Sequence, residues 1–222
     1  MGCYAQLQTD KIASIQGVDL VLGTNEKFNI LAHLENHTPS NQPEVHSCNI
    51  EDATSYNPSF SYGDRTRSFL KIQDGCDYHC SYCTIPMSRG NSRNQSIQSI
   101  IKEAEEIGQT EVKEIILTGV NIGDFGKSTG ERFFDLLRAL DQVPGIERIR
   151  ISSIEPNLLT NEIIAFVKQA KKILPHFHIP LQSGCNAVLD QMRRRYNREL
   201  FAERVSTIRE LIPEAFIGVD VI

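Results

Sequence analysis

The sequence of 222 residues contains no tryptophan and only three methionines, and aromatic residues make up 7% of it. It has no apolar run near the ~18 residues that a membrane-spanning helix needs. Its N-terminus also lacks the basic-then-apolar pattern of a secretory signal. These absences predict a cytoplasmic protein with no membrane partner. In that reducing compartment, closely spaced cysteines more often bind metal or do chemistry than form disulfides.

Positive charge is scarce overall, because the formal net charge is −5. This balance gives no general support for nucleic-acid binding. Arginines are nevertheless concentrated between residues 190 and 210. Such a segment either contacts phosphates or forms a solvated helix face of alternating charge. The arginines of this segment are Arg193, Arg194, Arg195, Arg198, Arg204 and Arg209.

The first part of the chain contains too few elements for a core of its own. Residues 1–36 predict one short strand over 18–23 and two helices, the second capped by Thr24. Residues 37–64 contain several prolines and little apolar periodicity, which is typical of a linker. We therefore expect residues 1–36 to be the end of a larger α/β domain whose other strands lie upstream.

Residues 65–222 alternate between strand and helix patterns, which predicts a parallel sheet, open or rolled into a barrel. The last residues, 219–222, stop within a predicted strand, so we expect a fragment cut at both ends. The predicted strands cover 68–73, 114–118, 148–152, 177–181 and 216–222, and the predicted helices cover 96–107, 132–140, 160–168, 187–194 and 198–211.

Three cysteines follow the first of these strands: Cys76, Cys80 and Cys83, in the sequence DGCDYHCSYCTIP. Thiolates suit soft metals and iron–sulfur clusters. The carboxyl end of a parallel strand is where ligands collect in open α/β sheets and in barrels. Residue type and position together predict a metal centre.

The number of thiols narrows the kind of centre. A structural zinc site normally has four ligands, and an electron-carrying cluster is closed by a fourth cysteine. This loop provides three, and His79 is poorly placed to share the metal of the adjacent Cys80. Three thiolates around a four-iron cube leave one iron open to a substrate. The sequence therefore predicts a 4Fe-4S cluster with an open iron, and a zinc-stabilised binding module is the alternative.

The loop, with Tyr82 before its third cysteine, resembles the signature of the radical S-adenosylmethionine superfamily. The wider segment RTRSFLKIQDGCDYHCSYCTIPMSRG is similar to the methylthiotransferases of that superfamily. Their later motifs are matched in order by ILTGVNIGDFG, RISSIEP and HIPLQSGCNAVLDQMRRRY. The N-terminal GCYAQ and GVDLVLGTNEKFNIL resemble the end of their sulfur-handling domain. LTGVNIG, and LQSGC followed by MRRRY, most resemble the branch that acts on threonylcarbamoyladenosine in tRNA.

The resemblance implies an α/β fold, a partial radical-SAM (βα) barrel over 65–222 that follows a linker (37–64) and the remnant of the sulfur-handling domain (1–36). It implies that the open iron chelates S-adenosylmethionine and that a deoxyadenosyl radical takes hydrogen from C2 of the modified adenine. The cofactors carry this chemistry, and no catalytic side chain is implied. The cofactor-binding positions that it implies are Tyr82, Ile85, Thr118, Gly119, Ser153, Glu155 and Gln182.

A second 4Fe-4S cluster is also implied, since three cysteines of the family's N-terminal domain hold one. Cys3 matches the last of the three, and the other two would lie before residue 1. We therefore expect this chain by itself to be unable to complete sulfur insertion. Cys48 and Cys185 have no implied cluster role. His176 and His178 share one face of a strand, and we expect them to be structural.

The resemblance further implies a tRNA substrate and an electron donor such as flavodoxin or ferredoxin. A related branch modifies a ribosomal-protein residue, so that substrate remains as an alternative. The expected truncation also removes the RNA-binding domain usual in the family, which agrees with the acidic balance of the chain.

Overall fold

The computed structural model describes residues 1–38, 40–61 and 66–222. Within these residues the strands are β1 (Leu20–Leu22), β2 (Glu44–His46), β3 (Arg67–Lys71), β4 (Glu114–Thr118), β5 (Arg148–Ile151), β6 (His176–His178) and β7 (Phe216–Gly218). The α-helices are α1 (Cys3–Leu7), α2 (Thr9–Ala13), α3 (Ile30–Asn36), α4 (Ile85–Arg89), α5 (Ile97–Gly108), α6 (Phe133–Leu140), α7 (Asn161–Gln169), α8 (Asn186–Gln191) and α9 (Arg198–Leu211).

The strands from β3 onward are parallel and lie in chain order. β3 pairs with β4 and β4 with β5, while β6 pairs with β7. Single bridges join the two groups, between Ile149 and Ile173 and between Ser153 and His178. Because the strands are parallel, the carboxyl ends of all of them lie at one edge of the sheet, and each crossover between them carries a helix. This arrangement confirms the predicted α/β fold with parallel strands.

The two faces of this sheet differ in chemistry. On one face, alternate residues such as Leu70, Leu117 and Ile151 are completely buried against α5, α6, α7 and α9. On the other, the intervening residues such as Lys71 and Arg150 are half-buried. The pleat therefore places the hydrophobic core on the helix side and leaves a polar concave face.

Local capping fixes several helix starts. The Thr160 hydroxyl accepts from the Ile163 amide at the start of α7, as its sequence predicts. Ser96 caps α5 in the same way through the Ser99 amide. The predicted cap at Thr24 is wrong, because the buried Thr24 hydroxyl instead donates to the carbonyl of Ser88. This bond joins the N-terminal segment to the end of α4.

The described residues of the predicted linker, 37–38 and 40–61, contain more regular structure than their composition suggests. Residues 44–46 form β2, which pairs in parallel with β1. Further along, Phe60 forms an antiparallel bridge with Leu70 on the free edge of β3. The segment therefore contacts both parts of the chain, and its second half covers an otherwise open sheet edge.

Within the described residues, none of the helices is both long enough and apolar enough to cross a membrane.

Candidate functional site

The cysteine loop lies at the carboxyl end of β3, where its thiols are largely shielded from solvent. Cys76 is 8% exposed and Cys80 is 9% exposed, while Cys83 is half-buried beside them. The Cys76 amide donates to the Gly90 carbonyl at 3.0 Å, so the end of α4 anchors the start of the loop. The structure therefore holds all three predicted thiols in one loop at the predicted edge.

A buried glutamine, Gln73, connects this loop to β4. Its side-chain nitrogen donates to the carbonyl of Gly75 at 2.7 Å and to the Ser92 hydroxyl at 2.9 Å. Its side-chain oxygen accepts from the amides of Val120 and Asn121, at 2.9 and 2.8 Å. Sequence reasoning missed this residue. Its only local signal is an amide side chain directly after a buried strand.

The environment of the thiols opposes their ionisation. Burial raises the pKa of Cys76 to about 11, and the nearby Asp124 carboxylate acts in the same direction. Burial also raises the pKa of Cys80, against the opposing charge of Arg194. These thiols therefore ionise readily only when a cation takes the place of their protons, as a metal ligand does.

The thiol arrangement suits a cluster better than a single ion. A zinc ion requires all its ligand atoms at about 2.0–2.3 Å from one point. Within residues 1–38, 40–61 and 66–222, no three His, Cys, Asp or Glu side chains converge in a way that could hold one metal ion. Thiols bound to different irons of a cluster need not converge on one point. The donor set of the loop, three thiols, therefore fits a four-iron cluster in which one iron has no protein ligand.

Arg194 brings together several residues that the sequence places far apart. Its side chain is 4% exposed, and its guanidinium forms a two-bond ion pair with Glu155. It also donates to Cys80 Sγ at 3.3 Å and to the Tyr82 hydroxyl at 2.9 Å. Glu155 and Tyr82 therefore both lie beside the cysteine loop. Charge-assisted bonds of this kind are short and directional, so Arg194 sets the geometry of this side of the site.

The other predicted cofactor residues lie along the same edge. Ile85 begins α4 and packs on the cysteine loop. Thr118 is the last residue of β4. The next residue, Gly119, packs closely on Gln73, and a Cβ at position 119 would lie 3.0 Å from the Gln73 carbonyl oxygen. Ser153 follows β5 and hydrogen-bonds to His178.

Gln182 is the most unusual of these positions. It has a φ of 64°, a left-handed conformation that a non-glycine residue adopts only when its surroundings require it. Within the described chain, its buried side-chain oxygen has no hydrogen-bond partner. A buried acceptor without a donor is costly, so this oxygen is suited to a bound ligand that supplies one.

Cys3 lies near the cysteine loop despite its distance in sequence. The Arg89 Nε atom donates to its sulfur at 3.3 Å. Burial acts to raise the pKa of the Cys3 thiol, but the hydrogen bond and charge of Arg89 outweigh it, and the pKa lies below its ordinary value. Arg89 also pairs with the Asp74 carboxylate at 3.4 Å. The N-terminal segment and the loop are thus joined through one arginine.

The remaining cysteines and histidines lie outside this centre. Cys185 is exposed and Cys48 is half-buried in the segment before β3. His176 stacks on Phe216 with ring centroids 4.7 Å apart. His178 lies between Ser153 and Asp220 and hydrogen-bonds to both.

Most of the arginine-rich segment is paired within the protein. Arg195 stacks over the ring of Tyr78 at 4.0 Å, and Arg198 and Arg204 pair with the adjacent Glu199 and Glu203. Arg193 is exposed beside Cys80 and Cys83. The start of this segment, residues 193–195, therefore lies against the cysteine loop, while its later arginines bond elsewhere in the protein.

The parallel sheet and the thiol loop at its carboxyl edge define the class of this protein. A family model described as the radical SAM superfamily matches residues 70–222. The chain therefore belongs to that superfamily, as its motifs predict.

More specific similarity comes from curated relatives. The threonylcarbamoyladenosine tRNA methylthiotransferase MtaB of Bacillus subtilis is 40% identical, over all of this chain and 50% of the relative. The protein of the same name from Thermotoga maritima is 36% identical with the same coverage. The tRNA-2-methylthio-N(6)-dimethylallyladenosine synthase of Clostridium tetani is 32% identical. The chain spans about half the length of these relatives.

Solved structures confirm the fold. The cobalamin-dependent S-adenosylmethionine radical enzyme OxsB, in its apo form, matches 98% of this chain and 34% of its own, with a TM-score of 0.58 and 12% identity. The radical S-adenosylmethionine methyltransferase TsrM of Kitasatospora setae matches 70% of this chain and 30% of its own, with a TM-score of 0.54 and 16% identity. At these identities the likeness shows the fold alone.

Proposed function

We propose that this chain is part of a tRNA methylthiotransferase that modifies C2 of N6-threonylcarbamoyladenosine. The observation that supports it most is the buried loop of Cys76, Cys80 and Cys83 at the carboxyl ends of parallel strands. The substrate is inferred from the relatives, since two of those described above carry this activity in their names. A tRNA substrate also places the protein in the cytoplasm.

The protein's own residues prepare the site for two cofactors. Cys76, Cys80 and Cys83 hold a 4Fe-4S cluster, and Arg194 offsets the negative charge of the Cys80 thiolate. When bound, the cluster and S-adenosylmethionine supply one-electron cleavage of a carbon–sulfur bond, and so the means to remove hydrogen from an unactivated carbon. Gln182 offers its unpartnered oxygen to S-adenosylmethionine.

The other proposed S-adenosylmethionine contacts lie along the carboxyl edge of the sheet. Thr118 and Gly119 serve the amino group and Ser153 and Glu155 the ribose. Tyr82 and Ile85 lie beside the cysteine loop and contact the adenine. An electron donor such as flavodoxin or ferredoxin reduces the cluster.

The N-terminal segment belongs to the sulfur-handling part of the full enzyme. We assign residues 1–36 to that domain, 37–64 to the linker and 65–222 to the radical domain. Cys3 is one ligand of a second 4Fe-4S cluster. Its contact with Arg89, at the end of the helix after the cysteine loop, would bring such a cluster close to the radical site.

Anaerobic reconstitution of the purified chain with iron and sulfide tests the proposal. We expect an iron–sulfide chromophore, and deoxyadenosine on addition of dithionite and S-adenosylmethionine. C80A abolishes both, whereas the exposed-cysteine control C185S retains them. A chain that takes up zinc but forms no iron–sulfide chromophore would contradict the proposal. For the substrate, nucleosides of tRNA from cells that lack the full-length gene are compared with those of the parent, and unchanged methylthiolation refutes the assignment.

A further inference from the structure

A cavity opens on the polar face of the sheet, between the segment that covers the edge of β3 and the carboxyl ends of β3 and β4. Its volume is about 450 Å³, within the range of small-ligand sites. Phe60 and Phe69 provide apolar walls. Lys71 and Arg89 also line it, and the lining residues in the described part of the chain include no acidic side chain. The cavity therefore offers stacking surface together with positive charge.

The positive charge at this cavity exceeds the negative charge next to it. Asp74 receives three cations, Lys71 at 3.3 Å and Arg89 and Arg93 at 3.4 Å each. The charge of Lys71 also acts on the nearby Glu103 carboxylate. Two carboxylates offset at most two of the three cations. Burial lowers the pKa of Lys71, and repulsion from Lys27 and Arg93 adds to this, although Asp74 opposes both. A cation in such surroundings is stabilised by a further anion, which the cavity has room to admit.

Residues proposed to serve both cofactors line the cavity. Arg89 contacts Cys3, the proposed ligand of the second cluster. Thr118 and Gly119 are proposed to contact S-adenosylmethionine. A carbon that loses hydrogen to one cofactor and gains sulfur from the other must lie within reach of both, so this cavity suits such a substrate.

We propose that Lys71 binds the carboxylate of the threonylcarbamoyl group and so selects this modified adenosine over one with an uncharged N6 substituent. The inference rests on the proposed function and adds a specificity-determining residue to it. The threonylcarbamoyl group ends in a carboxylate, and the matching positive charge is Lys71 at the cavity wall. Phe60 and Phe69 pack against the adenine, while the cation sets the direction of the N6 substituent.

Equilibrium dialysis of the reconstituted chain against three nucleosides tests this inference. The probes are N6-threonylcarbamoyladenosine, its methyl ester and adenosine. The ester lacks the negative charge and is larger by one methyl group, and we expect it to bind about tenfold more weakly than the acid, the effect of one charge-assisted hydrogen bond. Equal binding of acid and ester overturns the proposal, and so does the absence of binding of the acid.

Variants of Lys71 then test whether its side chain is the one that recognises the carboxylate. K71M removes the preference for the acid and K71R retains most of it, while K168M on the exposed surface of α7 leaves it unchanged. Persistence of the preference in K71M contradicts the proposal. If K71M does not fold, the comparison of acid and ester on the unaltered chain still decides.

The chromophore and deoxyadenosine assays on the same sample distinguish a failure of the carboxylate site from a failure of the proposed function. A chain that forms the cluster and cleaves S-adenosylmethionine, yet does not distinguish acid from ester, refutes the carboxylate site alone. A chain without the cluster refutes the proposed function.

Discussion

Arg194 and Glu155 form a two-bond ion pair directly beside the cysteine loop, with side chains 4% and 16% exposed. Arg194 follows α8 and Glu155 follows β5, so the pair fixes the distance between two crossovers of the sheet. Through its remaining contacts with Cys80 and Tyr82, Arg194 also fixes the loop. The pair therefore supports the geometry of the site as well as the fold around it.

Removal of this arginine is expected to cost much stability. R194M leaves the Glu155 carboxylate largely buried and unpaired, which lowers the free energy of unfolding by about 3–5 kcal/mol. R198M removes an exposed arginine that pairs with Glu199 at the surface, so the free energy of unfolding is expected to stay close to that of the parent. Urea denaturation of the two variants and the parent measures the difference. Similar losses in both variants would contradict the role given to the buried pair.

Gln182 allows stability and ligand binding to be separated. Glycine adopts its φ of 64° without strain, so Q182G is expected to unfold within about 1 kcal/mol of the parent. The same change deletes the unpartnered oxygen, and we expect about tenfold weaker binding of S-adenosylmethionine to the reconstituted chain. R193G is the matched control, since exposed Arg193 has a φ of 57°. It controls for the stability effect of glycine at a left-handed position. Unaltered affinity in Q182G would remove Gln182 from the site.

Gly75 supports the cysteine loop through its missing side chain. Its φ is +70°, and a Cβ there would lie 2.0 Å from the carbonyl oxygen of Asn91. G75A is therefore expected to lose about 3 kcal/mol of stability and to bind less iron after reconstitution. Gly130 has a similar φ of +76° but open space around it, so G130A shows only the backbone cost of about 1–2 kcal/mol. Normal iron content in G75A would show that the cysteine loop tolerates the backbone displacement that the added Cβ causes.

Asp74 makes the fold sensitive to acid. Burial acts to raise its pKa, but Lys71, Arg93 and Arg89 together with the Gly75 amide hold the pKa below its ordinary value of 3.8. The unfolded chain therefore takes up the proton more readily than the folded one. The stabilisation is complete above about pH 4 and is lost as pH falls through the lower folded pKa.

The measurement for Asp74 is the urea midpoint between pH 7 and pH 3. We expect D74N to be less stable than the parent at pH 7, by about 3 kcal/mol, and to lose less on acidification. D190N, at an exposed position, should follow the parent. If the urea midpoint of D74N falls with pH as steeply as that of the parent, groups other than Asp74 cause the loss of stability in acid.

The predictable part of the fold is the part with local patterns. The helix that begins at Ser96 follows from its apolar spacing and its cap, and β4 agrees with its predicted span of 114–118. β2 was missed because three residues with mixed polarity carry no periodic signal, and their pairing with β1 is decided 24 residues away. Thr24 looked like a cap because its local sequence permits one, but a distant carbonyl competes for its hydroxyl.

By itself, the sequence determined the three-cysteine loop and its place after a strand, since the three thiols lie within eight residues and their spacing is a local property. It also determined the strand–helix alternation, through periodicity that neighbouring residues carry. Only the tertiary structure decided what surrounds the thiols. Arg194 reaches Cys80 across 114 positions, and Arg89 reaches Cys3 across 86. Such contacts depend on how the strands and helices pack, and packing energy is spread over the whole core rather than carried by any short motif.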